Sequence, residues 1–194
     1  MDVLVAVDVQ HDFMPGGRVP VEGGADIVAP LVAFARRLRA TGGVTIASRD
    51  WHPNDHCSFR ENGGEWAHHC VAGSIGAMVN HLLDAQADYV VSKGQDPARE
   101  EYSAADACEV VLAGLAAYGE VERVYVAGLA LDYCVKATAL GLAEGGWEVA
   151  VLVDLTAAVD ETRAAEVCDE LAAAGVRVMT EEDARAEIEP KARA

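Results

Sequence analysis

Apolar positions along the chain fall into two alternating patterns. Short runs rich in β-branched residues, at 3–9, 44–48, 89–92, 124–127, 148–153 and 176–179, predict strands. Between them, Ala/Leu-rich stretches with helical spacing predict helices over 27–39, 74–83, 105–118, 132–143, 161–173 and 181–188. Gly119, Gly145, Gly146 and Gly175 stand where helices should stop. The first, fourth and fifth strands are apolar at nearly every position, as strands covered on both faces should be. Strands alternating with helices predict an α/β fold: an open six-stranded parallel sheet with helices on both faces. No repeat, low-complexity linker or break divides the chain, so residues 1–194 should form a single domain.

One stretch breaks the rhythm. Residues 50–73 are long, polar and aromatic, and hold His52, His56, His68 and His69, four of the six histidines. Long loops in compact domains are usually functional or disordered. Two tryptophans and four histidines argue against disorder.

Hydrophobic residues are 52% of the chain, enough for one large core. The formal net charge of -17 repels phosphate backbones and anionic lipid, which argues against nucleic-acid and membrane partners. A neutral small substrate is not repelled. No apolar window is long enough to span a bilayer, and the acidic first segment is unlike a signal peptide. Cys57, Cys70, Cys108, Cys134 and Cys168 are odd in number and irregular in spacing. That pattern points to reduced thiols and a cytoplasmic setting rather than a disulfide framework.

The candidate chemistry lies at strand ends. Asp8 closes the first strand, Asp50 the second and Lys93 the third, while Cys134 opens the helix after the fourth. In an open parallel sheet these positions share the carboxyl edge, where ligands bind. Cys134 is the candidate nucleophile. Asp132 is a plausible N-cap, which would place the thiol in the first helical turn, where the dipole favours thiolate and backbone N–H groups can hold an oxyanion. Gly128 lets the chain turn sharply after the strand. Asp8 is the candidate general base, and Lys93 would hold Asp8 and Cys134 in place. Cys108 and Cys168, on apolar helix faces, read as packing residues.

Asp50 and His52, two apart on an extended strand, point the same way and can share one ion, with His69 arriving across the loop and His56 as a possible fourth partner. A carboxylate/imidazole set suits zinc, iron or manganese. A rival set is Cys57, His68, His69 and Cys70 as a closed zinc site, for which adjacent His69 and Cys70 are poorly spaced. Phe13, Trp66 and Tyr102, in neighbouring loops, could wall a flat ring. The dinucleotide fingerprint Gly-x-Gly-x-x-Gly is missing after the first strand.

Five segments carry a resemblance. They are Val7-Asp8-Val9-Gln10-His11-Asp12-Phe13-Met14-Pro15-Gly16-Gly17; Arg49-Asp50-Trp51-His52-Pro53 with His56 and Ser58-Phe59; Trp66 through His69-Cys70-Val71; Ser92-Lys93-Gly94 running to Tyr102-Ser103-Ala104; and Gly128-Leu129-Ala130 through Asp132-Tyr133-Cys134-Val135. In this order, over nearly the whole chain, the sequence resembles the nicotinamidase branch of the isochorismatase-like cysteine hydrolases. The resemblance implies their Rossmann-like fold, a catalytic triad of Asp8, Lys93 and Cys134, and one divalent metal, zinc by preference with iron or manganese as alternatives. It implies metal ligation by Asp50, His52 and His69, with His56 near the site or on the metal. It also implies a cis peptide entering Ala130, an oxyanion hole from the N–H groups of Ala130 and Cys134, and a ring site between Phe13, Trp66 and Tyr102. The implied partner is nicotinamide, a small molecule; a homo-oligomer is compatible with the sequence. His11, Ala67 and Leu131 depart from residues common in that family (Asn, Pro and Thr), outside the implied triad.

Overall fold

A computed structural model of the protein describes residues 1–188. Six strands, β1 (Asp2–Val7), β2 (Val44–Asp50), β3 (Tyr89–Lys93), β4 (Arg123–Leu129), β5 (Val149–Ala157) and β6 (Arg177–Met179), form one sheet. Its order is β3-β2-β1-β4-β5-β6 and every pairing is parallel. The helices are α1 (Val28–Ala40), α2 (His81–Asp84), α3 (Ala105–Ala116), α4 (Lys136–Glu144), α5 (Ala164–Ala173) and α6 (Glu181–Ile188). None is long and apolar enough to cross a membrane.

Successive strand residues face opposite sides, so a strand apolar at every position serves two cores at once. Leu4 and Ala6 of β1 join one core with Leu31, Phe34 and Leu38 of α1 and Ile188 of α6. Val3, Val5 and Val7 join the other, with Cys108 and Leu112 of α3, Leu142 of α4 and Leu171 of α5. Cys108 is thus a packing residue, and burial pushes its thiol up to about 12.

The chain leaves β1 toward one edge and returns at β4 toward the other. The crevice between their carboxyl ends is therefore the topological switch point, the place such sheets reserve for ligands. Gly128 shapes it: at φ +116, a Cβ there would lie 2.2 Å from the Val7 carbonyl oxygen on the neighbouring strand.

Two predicted helices are corrected. Residues 74–83 form turns, with only His81–Asp84 helical. Asn80 starts that helix, its side chain accepting from Leu82 N, while the residues before it bond elsewhere. His11 N donates to Met78 O and Asp12 N to Gly76 O, and these tertiary bonds outcompete a helical ladder. Residues 132–143 divide into a π-helical turn, Leu131–Val135, and α4. Val135 N donates to Ala130 O across five residues, which widens the turn carrying Cys134.

Candidate active site and metal centre

Asp8 follows β1 directly, in the left-handed region at φ 48. Asp50 and Lys93 end β2 and β3 in register with each other. Their side chains meet Cys134 beneath the switch-point crevice. Lys93 Nζ lies 3.0 Å from Asp8 Oδ2, 2.5 Å from Asp50 Oδ1 and 3.4 Å from Cys134 Sγ. Atoms of Asp8, Asp50 and Cys134 all lie within 4.8 Å of one another. The four residues are at most 7% exposed. Ser48 Oγ donates to Asp8 Oδ1 at 2.6 Å, leaving Oδ2 with Lys93 as an ion contact but with no aligned hydrogen bond.

Two carboxylates sharing one ammonium in a dry site titrate apart. Burial lifts the Asp8 carboxyl above its ordinary range, against the pull of Lys93. Burial acts on Asp50 too, but there Lys93 and His52 outweigh it and hold the carboxyl well below that range. Burial opposes the charge on Lys93, yet Asp50, Asp8 and Cys134 keep it firmly cationic. Forces on the Cys134 thiol oppose one another: burial, reinforced by Asp8 and Asp50, pushes its pKa well up, while Lys93 pulls it down.

The Asp132 cap is corrected. Its carboxylate accepts from Val159 N at 2.9 Å and Asp160 N at 3.0 Å, and makes no cap hydrogen bond. It fastens the turn of the thiol to the loop after β5.

Asp50, His52 and His69 present ligand atoms within 4.8 Å of one another, all three buried. His52 Nδ1 is bonded to Gly94 O at 2.9 Å and His69 Nδ1 to Ala67 O at 2.7 Å, so each ring offers Nε2. Orienting bonds of this kind accompany metal-ligating histidines. Only glycine fits at 94, where a Cβ would lie 2.4 Å from the His52 ring. One carboxylate and two imidazoles with fixed tautomers fit a divalent ion with further positions open. His56 lies outside this set. Its ring stacks on His52 at 4.1 Å, and its nitrogens meet Ser58 Oγ at 2.7 Å and Arg99 O at 3.1 Å. The rival set does not assemble: among the described residues neither Cys57 nor Cys70 belongs to a metal-type cluster, and His68 Nε2 bonds Asn54 O.

Above the donors opens a cleft lined by Phe13, Trp66, Tyr102, Tyr133, Val159 and Leu129 among others. Trp66 Nε1 donates to Tyr102 Oη at 3.1 Å, and the Trp66 and Tyr102 rings both pack against Tyr133. Ala130 and Cys134 line its floor, and the Leu129–Ala130 peptide is cis. Among the described residues, no lysine or arginine lines it.

A family model for the isochorismatase domain matches residues 2–183. The chain belongs to the isochorismatase family. Within it, a nicotinamidase/pyrazinamidase of Mycobacterium tuberculosis is 33% identical over 184 residues, 92% of this chain and 98% of that one. The structure of a pyrazinamidase of Pyrococcus horikoshii in complex with zinc superimposes with a TM-score of 0.81 at 34% identity, covering 92% of this chain and 98% of that one. A nicotinate complex of a protein from L. infantum gives a TM-score of 0.84 at 38% identity, covering 94% and 93%.

His11 uses its backbone to hold Met78, Leu131 is buried in the core beside α4, and Ala67 orients His69 through its carbonyl. Sequence reasoning passed over Tyr133 as a wall of the cleft, although its place next to Cys134 on a turn was a signal. It also passed over Ser48, two residues before Asp50 on a strand and therefore on the same face.

Proposed function

We propose that the chain hydrolyses nicotinamide to nicotinate and ammonia through a thioester on Cys134, beside a zinc ion held by Asp50, His52 and His69. The observation that carries this reading is the meeting of thiol, carboxylate and ammonium within bonding reach, under a ring-walled cleft that also faces three metal donors.

Asp8 takes the thiol proton as sulfur attacks the carboxamide carbon. The oxyanion rests on the N–H groups of Ala130 and Cys134. Asp8 then hands its proton to the departing nitrogen, ammonia leaves, and a thioester remains. Asp8 next takes a proton from water as the hydroxide attacks the thioester. Collapse expels sulfur, which regains the proton from Asp8, and nicotinic acid departs, losing its own proton to solvent to give nicotinate. Its raised pKa suits Asp8 to both directions of transfer. Lys93 keeps the acids and thiol together throughout. A bound divalent ion supplies an electropositive anchor that orients the pyridine nitrogen. Phe13, Trp66, Tyr102 and Tyr133 hold the ring flat.

Amides that carry a carboxylate, such as maleamate or ureido acids, need a counter-charge that the lining lacks, since Lys93 is engaged by Asp8 and Asp50. Neutral aromatic amides, nicotinamide and pyrazinamide, fit the cleft better. The test is ammonia release from nicotinamide before and after chelator treatment: release that chelation abolishes and zinc restores is expected, and none under any metal loading contradicts the reading.

A further inference from the structure

The loop after β1 carries two buried polar side chains that the reaction does not use, Gln10 and Asp12. β1 and β2 pair as far as Ala6 and Ala47, followed by one bond from Asp8 N to Ser48 O. Beyond that point the loop backbone no longer accompanies β2. At Asp50 the missing rung is made by a side chain. Gln10 Oε1 accepts from Asp50 N at 2.8 Å, and Gln10 Nε2 donates to Asp50 O at 2.8 Å. The second Nε2 hydrogen goes to Ala77 O at 2.9 Å. Gln10 is fully buried, so none of these bonds is exchanged for water.

Two residues on, Asp12 does the same for the other half of the donor set. Its Oδ2 accepts from Cys70 N at 2.7 Å and its Oδ1 from Arg18 N at 3.3 Å. Cys70 is held at φ 45, a conformation that side-chain-bearing residues adopt only when fixed by their surroundings. It follows His69 directly, and its carbonyl accepts from His52 N at 3.0 Å. One carboxylate thereby sets the backbone beside both histidines.

We infer that Gln10 and Asp12 are positioning residues for the metal donors, fixing Asp50, His52 and His69 before an ion arrives. The inference rests on the reading of those three residues as a divalent-metal site. Outer partners of metal ligands typically govern affinity by about 10- to 100-fold. The side chains of Gln10 and Asp12 bond Asp50, Ala77, Cys70 and Arg18 rather than the thiol or the ring-binding walls, so their loss should act on ion affinity first.

The experiment is a competition titration of zinc against a chromogenic chelator, using folded apo-protein. Gln10→Met and Asp12→Ala should weaken zinc binding by about 10- to 100-fold. Asp12→Asn keeps an acceptor for Cys70 N and should recover most of the affinity. At saturating zinc, turnover in all three should approach the wild-type value. If Gln10→Met does not fold, Gln10→Glu, which keeps the acceptor and lacks the paired donors, takes its place with the same expectation. Folded variants that melt at lower temperature but bind zinc as tightly as wild type would make the role purely structural and overturn the inference. Wild-type protein that takes up no zinc would instead defeat the metal reading itself.

Discussion

Lys93 and Asp50 end adjacent strands in register, and the Lys93 ammonium reaches Asp50 Oδ1 at 2.5 Å while also lying 3.0 Å from Asp8. One cation therefore serves the carboxylate of the proposed triad and the carboxylate of the proposed metal site. Replacing it in Lys93→Met leaves two buried acids uncompensated. The cost should be about 3–5 kcal/mol of stability at neutral pH, together with loss of turnover. In wild type the folded Asp50 pKa is depressed, so its contribution to stability is present above the unfolded pKa and fades as pH falls. In the variant both acids would titrate high, and acid would relieve them. The stability gap between the two proteins, measured by denaturant titration with chelator present, should narrow from pH 7 toward pH 4.

Ser48 tunes the base. Its hydroxyl bond to Asp8 Oδ1 lowers the carboxyl pKa, against the larger lift from burial. Ser48→Ala should raise that pKa further. A base must be deprotonated to accept the thiol proton, so the acid limb of kcat/KM should move to higher pH, with the rate at alkaline pH little changed. A full pH–rate profile of both proteins checks the sign.

The metal donors should act on binding before chemistry. His52→Ala removes a buried ligand, and zinc affinity should drop by more than about 100-fold, beyond the loss of an outer partner. KM for nicotinamide should rise more than kcat falls. Metal content of the purified variant and steady-state kinetics measure both.

Tyr102 offers a finer probe. Burial pushes its hydroxyl up to about 12, so it stays neutral, accepting from Trp66 Nε1. Tyr102→Phe keeps the ring and removes that acceptor, at a cost of about 0.5–1.5 kcal/mol. The expected result is a rise in KM of several-fold with kcat nearly constant, read from initial rates.

The sheet was legible in the sequence because strands buried on both faces leave unbroken apolar runs, as at Val3–Val7 and Val149–Leu152. The site residues at strand ends were legible for a related reason: Asp8 and Lys93 are the first charges after the apolar runs of β1 and β3, and Asp50 follows that of β2 directly after Arg49. Residues 74–83 misled because Ile75, Met78 and Leu82 carry helical spacing, yet they are 82%, 39% and 46% exposed and form no buried stripe. Their backbone is claimed by the loop after β1, a partner more than sixty positions away. Gln10, Asp12 and Ser48 fell within or beside segments that carried the family resemblance, but their roles are bonds to residues 40 to 67 positions distant, which no local pattern encodes. Asp132 looked like a cap because caps are read from neighbours, whereas its partners lie at Val159 and Asp160.

The most direct measurement of the proposed chemistry is acid quench of the protein during turnover of nicotinamide, followed by mass analysis of its peptides. A nicotinoyl adduct on the peptide containing Cys134, absent from an inactive Cys134→Ala variant that still binds nicotinamide, is the predicted result. Near-normal ammonia release by Cys134→Ala, with no adduct on the wild-type protein, would contradict the account.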